Sequence, residues 1–304
     1  MNAIETSNLS KTFRQGRHGV IAVDQLTLTI PSGIVFGYVG PNGSGKTTTI
    51  RMLCGIIAPT SGTAMVAGIG LDQPDKVKAH IGYAGQGVSI YTDLSVEENL
   101  QFFDSVFGTS IEQNYELIRS IYEQIEPFSN RKAGQLSGGM KQKLALCCAL
   151  IHRPRVLFLD EPTTGVDAVS RGEFWAMLKQ IKSSGITTVV STPYMEEAKL
   201  CDRVALIQKG SILTTDSPGS IEESYKKPLF AVRSSQKYRV IQSLRAFEHA
   251  ESVYAFGDVA HYTDIRGSVS VEELRGYLRS TGFTDAEVTS IPAGIEDVFM
   301  AMTA

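Results

Sequence analysis

Cysteine is scarce in this chain, tryptophan scarcer, and neither sign of charge dominates. Four cysteines and one tryptophan occur among 304 residues, and 29 basic side chains nearly balance 32 acidic ones, for a net charge of -3. A chain without basic excess lacks the face that neutralises nucleic-acid phosphates, so nucleic acid is not expected as a partner. Cys54, Cys147, Cys148 and Cys201 lie in apolar segments without metal-ligand spacing. They read as reduced core thiols of a cytoplasmic protein. A long apolar run is missing too. The most apolar stretch, residues 144–159, is broken by His152, Arg153, Pro154 and Arg155, which excludes a membrane span there. Residues 1–13 are too polar for a secretory signal. Any membrane contact is therefore expected to run through a protein partner.

What is present suits a globular protein. The length allows one large domain and a small one. Residues 20–30 alternate loosely, Pro31-Ser32-Gly33 makes a turn, and residues 34–39 form a short apolar strand. A glycine-rich loop follows, then a helical run over 47–54. From 86 to 135 the pattern turns helical. Ser95 with Glu98 forms a capping box, Leu100, Phe103 and Phe107 give an apolar stripe, and Gly108 stops the helix. A second helix is expected over 112–125. Residues 156–159, 186–190 and 204–207 read as strands of a parallel sheet covered on both faces. Residues 217–228, with two prolines and a lysine pair, read as a linker. Beyond it the order strand, helix, strand, strand, helix, strand predicts a ferredoxin-like domain. Its second helix opens with a capping box of Ser270 and Glu273. A last short helix over 295–302 would pack on it.

Three motifs carry chemistry. Gly40-Pro41-Asn42-Gly43-Ser44-Gly45-Lys46-Thr47 fits a phosphate loop, where glycines let backbone N–H groups close around phosphate oxygens. The helix that follows aims its positive end at the same oxygens. Lys46 is expected to reach the β and γ phosphates and Thr47 to ligate magnesium. Val156-Leu157-Phe158-Leu159-Asp160-Glu161 is an apolar strand that delivers two carboxylates. Asp160 would hold magnesium, and Glu161 would polarise the attacking water. Each motif alone has a bland alternative, a glycine turn beside a surface lysine or a strand ending in solvated acids. Their co-occurrence disfavours both. Leu136-Ser137-Gly138-Gly139-Met140-Lys141-Gln142-Lys143 opens a long helix and makes a second anion-binding start. One chain has little use for two such cradles, so Ser137 and Gly139 are expected to meet the γ-phosphate held by another subunit.

With these three motifs in order, the chain resembles the ATPase subunits of ATP-binding cassette (ABC) transporters over roughly residues 1–225. The resemblance implies an α/β phosphate-loop ATPase core over 1–222, with an antiparallel β subdomain and a helical subdomain at about 87–150. The small α+β domain would occupy 228–304. ATP and Mg2+ are the implied cofactors. Phe13 would stack on adenine, the loop through Thr48 would bind nucleotide, and Gln86 would join magnesium chemistry to the membrane partner. Asp167 would lie at a dimer interface. The run Tyr91-x-x-Leu94-Ser95-Val96-x-Glu98-Asn99-Leu100 looks like that of drug- and polysaccharide-type exporters, and the tail Ile295-Glu296-Asp297-Val298-Phe299 like the end of multidrug-exporter ATPases carrying a small C-terminal domain. The implied function is an ATPase on the cytoplasmic membrane face that energises export through a separate permease. It would pair with a second ATPase subunit, identical or different.

One position departs from the family. The switch segment reads Ser191-Thr192-Pro193-Tyr194, where related ATPases carry a histidine at the place of Pro193. Proline can neither donate nor titrate. Losing one charge-assisted contact of roughly 1.5–3 kcal/mol slows hydrolysis without abolishing it. Thr192 or Tyr194 could supply a substitute hydroxyl, or a partner ATPase could hold the complete site. A degenerate or non-transport ATP-binding regulator is the alternative function, favoured by Pro193 alone.

Overall fold

The computed structural model describes residues 1–15, 18–85 and 89–303. They form two compact units, Met1–Pro218 and Gly219–Ala304. In the first, β1 (Asn2–Gln15) and β2 (His18–Pro31) make an antiparallel hairpin. Leu26, Leu28 and Ile30 alternate with exposed residues, so one face of β2 enters the core. β3 (Val35–Val39) is buried throughout and leads through the glycine loop into α1 (Lys46–Leu53). β4 (Ser61–Val66) and β5 (Ile69–Gly70) return to the hairpin, giving the order β2-β1-β4-β5. α2 (Pro74–Lys78) and β6 (Ile81–Ala84) follow.

The helical insertion is α3 (Val96–Phe107), α4 (Ile111–Tyr122) and α5 (Gly138–Leu150). Ser95 and Glu98 do form a reciprocal capping box, with N–H to oxygen distances of 2.7 and 3.1 Å, and Gly108 ends α3 at φ 61°. α4 stops three residues short of the expected end. A 3-10 turn, Glu126–Phe128, comes next, and Pro127 has no N–H to continue an α-helix.

β7 (Val156–Asp160), α6 (Ala168–Ser183), β8 (Thr187–Thr192), β9 (Arg203–Gln208) and β10 (Ser211–Asp216) complete the unit. The large sheet runs β10-β9-β3-β8-β7-β6, parallel except for the antiparallel edge strand β10. Parallel strands covered on both faces must be apolar along their whole length, and β3 and β7 are, up to Asp160. β8 is the exception. Thr187, Thr188, Ser191 and Thr192 are all buried in it, and the last two serve the site described below.

α7 (Pro218–Glu223) lies where a linker was expected over 217–228. A proline at the first position of a helix gives up only an N–H that has no partner anyway, so Pro218 starts a helix rather than breaking one. Ile221 of this helix is 2% exposed. In the second unit, β11 (Leu229–Arg233), α8 (Lys237–Ala246), β12 (Ala250–Phe256), β13 (Val259–Asp264), α9 (Val271–Ser280) and β14 (Glu287–Ser290) give an antiparallel sheet of order β12-β13-β11-β14. Phe230 and Tyr262 share a core with Val240, Leu244, Leu274 and Leu278 of the two helices. His261 alternates with Tyr262 and so faces the other side, where its Nδ1 meets Asp297 Oδ1 of α10 (Ile295–Thr303) at 2.6 Å.

The second expected capping box is only half made. Ser270 Oγ accepts the Glu273 N–H, but the Glu273 carboxylate is taken by Arg266 at 2.5 Å, a charge-assisted and stronger bond.

Phe158 of β7 is fully buried in the core of the first unit. Phe158→Ala is expected to destabilise that unit by about 3–5 kcal/mol. Urea unfolding followed by the fluorescence of the single tryptophan, Trp175, reads this unit alone, because Trp175 is 3% exposed within α6.

Candidate active site

Parallel pairing collects the motifs at one edge of the large sheet. β8 lies between β3 and β7, with Thr192 opposite Val39 and Ser191 opposite Asp160. The loop after β3 is glycine-dependent for two separate reasons. A Cβ on Gly40 would stand 2.2 Å from the Ile207 carbonyl oxygen. Gly45 adopts φ +103°, and a Cβ there would stand 2.3 Å from the Ala22 carbonyl oxygen. The loop is closed by Ser44 N–H to Pro41 O at 3.2 Å and tied to the sheet by Gly40 N–H to Thr192 O at 3.2 Å.

Lys46 is 3% exposed and donates to the carbonyls of Gly40 (2.7 Å) and Pro41 (3.0 Å). Its Nζ also stands 3.2 Å from Glu161 Oε1, so the two motifs meet in a buried ion pair. Asp160 is wholly buried, and its Oδ1 accepts the hydroxyls of Thr47 at 3.1 Å and Ser191 at 2.6 Å. Asp160 Oδ2 and Ser44 Oγ are buried with no hydrogen bond among the described residues. Two such orphaned oxygens, in a glycine cradle beside a lysine, fit a polyphosphate with its divalent cation. Glu161 has φ +53°, and its N–H is gripped by the Ser191 carbonyl (3.1 Å) and Oγ (2.9 Å).

The remaining expected residues are distributed. Phe13 sits on β1, 43% exposed, with Lys11 Nζ 5.2 Å from the ring centroid and Val20 as its strand partner. Val20 and Ile21 are exposed as well, and widen this into an apolar edge. Asn42 and Gly43 are exposed in the phosphate loop, whereas Thr48 lies half-buried in the first turn of α1. Gln86 lies outside the described residues. Its flanks are joined by the Gly85 N–H donating to Ser89 Oγ at 2.8 Å. Ser137 is exposed and caps α5 through the Met140 N–H at 3.3 Å. Asp167 caps α6 in the same way, and the Ser170 amide and hydroxyl hold its carboxyl below the usual carboxylate range. A Cβ on Gly139 would come 3.5 Å from Ser170 Oγ, so the two helix starts adjoin.

Thr192 is removed as a stand-in for the switch histidine. Its hydroxyl is fully buried and donates to Glu197 Oε2 at 2.6 Å. Tyr194 is half-buried, with the Arg171 guanidinium 4.9 Å over its ring.

A family model described as ABC transporter matches residues 23–164. The chain is 39% identical over 222 residues to the probable multidrug ABC transporter ATP-binding protein YbhF of Escherichia coli (strain K12), covering 72% of this chain and 38% of that protein. It is 32% identical over 311 residues to the Nod factor export ATP-binding protein I of Burkholderia lata, covering 99% and 96% of the two chains. The chain belongs to the ABC transporter ATP-binding family. A dimeric ATP-binding cassette solved in a post-hydrolysis state with ADP and Pi matches this cassette with TM-score 0.64 at 25% identity, over 70% of this chain and 98% of that one. The α/β cassette fold is thereby shown. Among the described residues no helix is long and apolar enough to cross a membrane.

Several residues around the site were assigned no role by the motifs. Ser191, Glu197 and Gln142, whose amide donates to the Pro162 carbonyl, emerge only from packing. The signal available for Ser191 was its place at the head of the switch segment, directly after the apolar strand read over 186–190. A groove of about 330 Å³ is lined by Ile56, Tyr83, Phe103, Val106, Phe107 and His152. Ser191→Ala should cost about 1–3 kcal/mol of stability in the urea assay, because it strips one donor from the buried Asp160 and one acceptor from Glu161.

Proposed function

We propose that this cassette is the ATP-binding and hydrolysing subunit of an exporter, working by ATP-driven dimerisation against a separate membrane permease. The observation that carries the reading is the meeting of Lys46, Thr47, Asp160 and Glu161 at one sheet edge. In this reading Phe13 offers its exposed ring to adenine. The loop from Gly40 to Thr48 takes the phosphates, and Lys46 exchanges its loop carbonyls for β and γ oxygens. Thr47, Asp160 and Gln86 would hold Mg2+, and the bound ion supplies neutralisation of phosphate charge. Glu161 orients and polarises the attacking water.

Ser137 and Gly139 lie on a separate helix start, and they would close over the phosphates of a second subunit's nucleotide. The apolar groove, where Val106 is 58% and Ile56 51% exposed, suits a short permease helix. Export, rather than import, is supported by the relatives named for Nod factor export and multidrug transport. The subunit would then sit on the cytoplasmic face of the membrane, bound through the permease.

A second reading, a regulator that holds ATP without productive turnover, is favoured by Pro193. Steady-state ATPase assays separate the two. Exporter activity predicts slow hydrolysis that Glu161→Gln abolishes, and no glutamate-dependent turnover would favour the regulator. Pro193→His is expected to raise turnover roughly ten- to hundredfold, by restoring a contact of about 1.5–3 kcal/mol. An unchanged rate would show that the switch position does not limit hydrolysis. Val106→Glu should abolish co-purification with the permease while leaving ATP binding intact, since it places a charge on the groove rim.

A further inference from the structure

One buried acid beside the site has no part in the chemistry above. Glu197 lies in the 3-10 turn Met195–Leu200, just past the switch segment, and is 3% exposed. Its Oε2 accepts the hydroxyl of Thr192 at 2.6 Å and that of Thr163 at 3.0 Å. Its Oε1 is buried and has no hydrogen bond among the described residues. A carboxylate buried with half its acceptor capacity unused is a poor device for stability. What it does accomplish is geometric. Thr192 ends β8 and Thr163 stands two residues past Glu161, so one carboxylate joins the strand end to the turn that bears Glu161.

That turn needs tying down. Glu161 occupies the left-handed region at φ +53°, which a residue with a Cβ adopts only when its surroundings over-determine it. Ser191 grips its amide, and the Thr164 hydroxyl reaches its Oε2 at 3.3 Å. The bridge from Thr163 through Glu197 to Thr192 is a second, independent tie between the same turn and the same strand. We propose that Glu197 is a positioning residue for hydrolysis, holding the turn 161–164 in the conformation from which Glu161 acts on water. This rests on the reading of Glu161 as the polarising base. The switch segment has Pro193 in place of a side-chain donor, and its Thr192 hydroxyl is committed to Glu197. Its contribution to the site is then this buried bridge.

The test uses the full chain with Glu197→Ala, Glu197→Gln and Thr163→Val. In Glu197→Ala, kcat should fall at least tenfold, while KM for ATP and the Kd of a fluorescent ATP analogue stay within about twofold. Thr163→Val should move in the same direction. Glu197→Gln should recover to within about threefold of the parent, because its amide oxygen can accept both hydroxyls. Amide hydrogen exchange over residues 161–166 should rise at least tenfold in Glu197→Ala and stay at the parent level in Glu197→Gln. Unchanged kcat and unchanged exchange in Glu197→Ala would overturn the proposal. So would a parallel loss of kcat, nucleotide affinity and melting temperature, which is the mark of a general structural role. If Glu197→Ala fails to fold, Thr163→Val carries the same two readouts. If turnover survives Glu161→Gln, the reading of Glu161 fails, and exchange alone decides whether Glu197 ties the turn.

Discussion

The carboxylate of Asp160 is wholly buried, and the arrangement of the large sheet follows from satisfying it. A buried charge costs several kcal/mol unless donors surround it. Two donors reach the same oxygen, Thr47 from the helix after β3 and Ser191 from β8. Both can do so only if β8 is threaded between β3 and β7 in the observed register, with Ser191 opposite Asp160. A slip of one residue would turn Ser191 to the other face and leave the charge short of a partner. The same register puts the Thr192 carbonyl under the Gly40 amide and the Ser191 carbonyl under the Glu161 amide. Loop, acid and strained turn are thus consequences of one alignment.

Around that fixed centre the chain leaves other groups uncommitted. Phe13 and its neighbours Val20 and Ile21 face outward on the β1–β2 hairpin, and Ser137 and Asp167 cap two adjoining helices with their side chains exposed. The caps stabilise their own helices, but the exposed apolar side chains of the hairpin gain nothing within a lone chain. In the proposed dimer these groups would meet a second subunit and its nucleotide. The apolar groove against α3 and α5 has the same character. Val106 and Ile56 are left in water and contribute no burial energy to the fold.

Features with purely local causes could be foreseen from the residues. The glycine pattern of the phosphate loop, the all-apolar strand before Asp160 and the capping box at Ser95 each involve neighbours in the chain. Where a local pattern had two outcomes, reading it from the sequence failed. Pro218 suits both a linker and a first helical position, and burial of Ile221 decided for a helix. Ser270 and Glu273 have the spacing of a capping box, but Arg266 outcompeted the Ser270 amide for the carboxylate. The short strands β4, β5, β6 and β10 and the helices α2 and α6 were not foreseen. The strands and α2 are runs of two to six residues, which carry little periodicity of their own, whereas the 16-residue α6 does carry helical spacing in Phe174, Leu178 and Ile181. Thr192 was a candidate hydroxyl for the phosphate until burial committed its proton to Glu197.

By itself, then, the sequence determined the chemistry available: a glycine loop ending in lysine and threonine, an apolar strand ending in two acids, and a proline in the segment after the next apolar strand. Those are properties of side chains and of backbone freedom, and they travel with the chain. Tertiary structure alone decided which of these groups meet. The ion pair of Lys46 with Glu161, the bridging of Asp160 by Thr47 and Ser191, and the bond between Thr163 and Glu197 all join residues distant in sequence. Hydrogen bonds reach about 3 Å and carry no trace along the chain, so only the stacking order of parallel strands could reveal them.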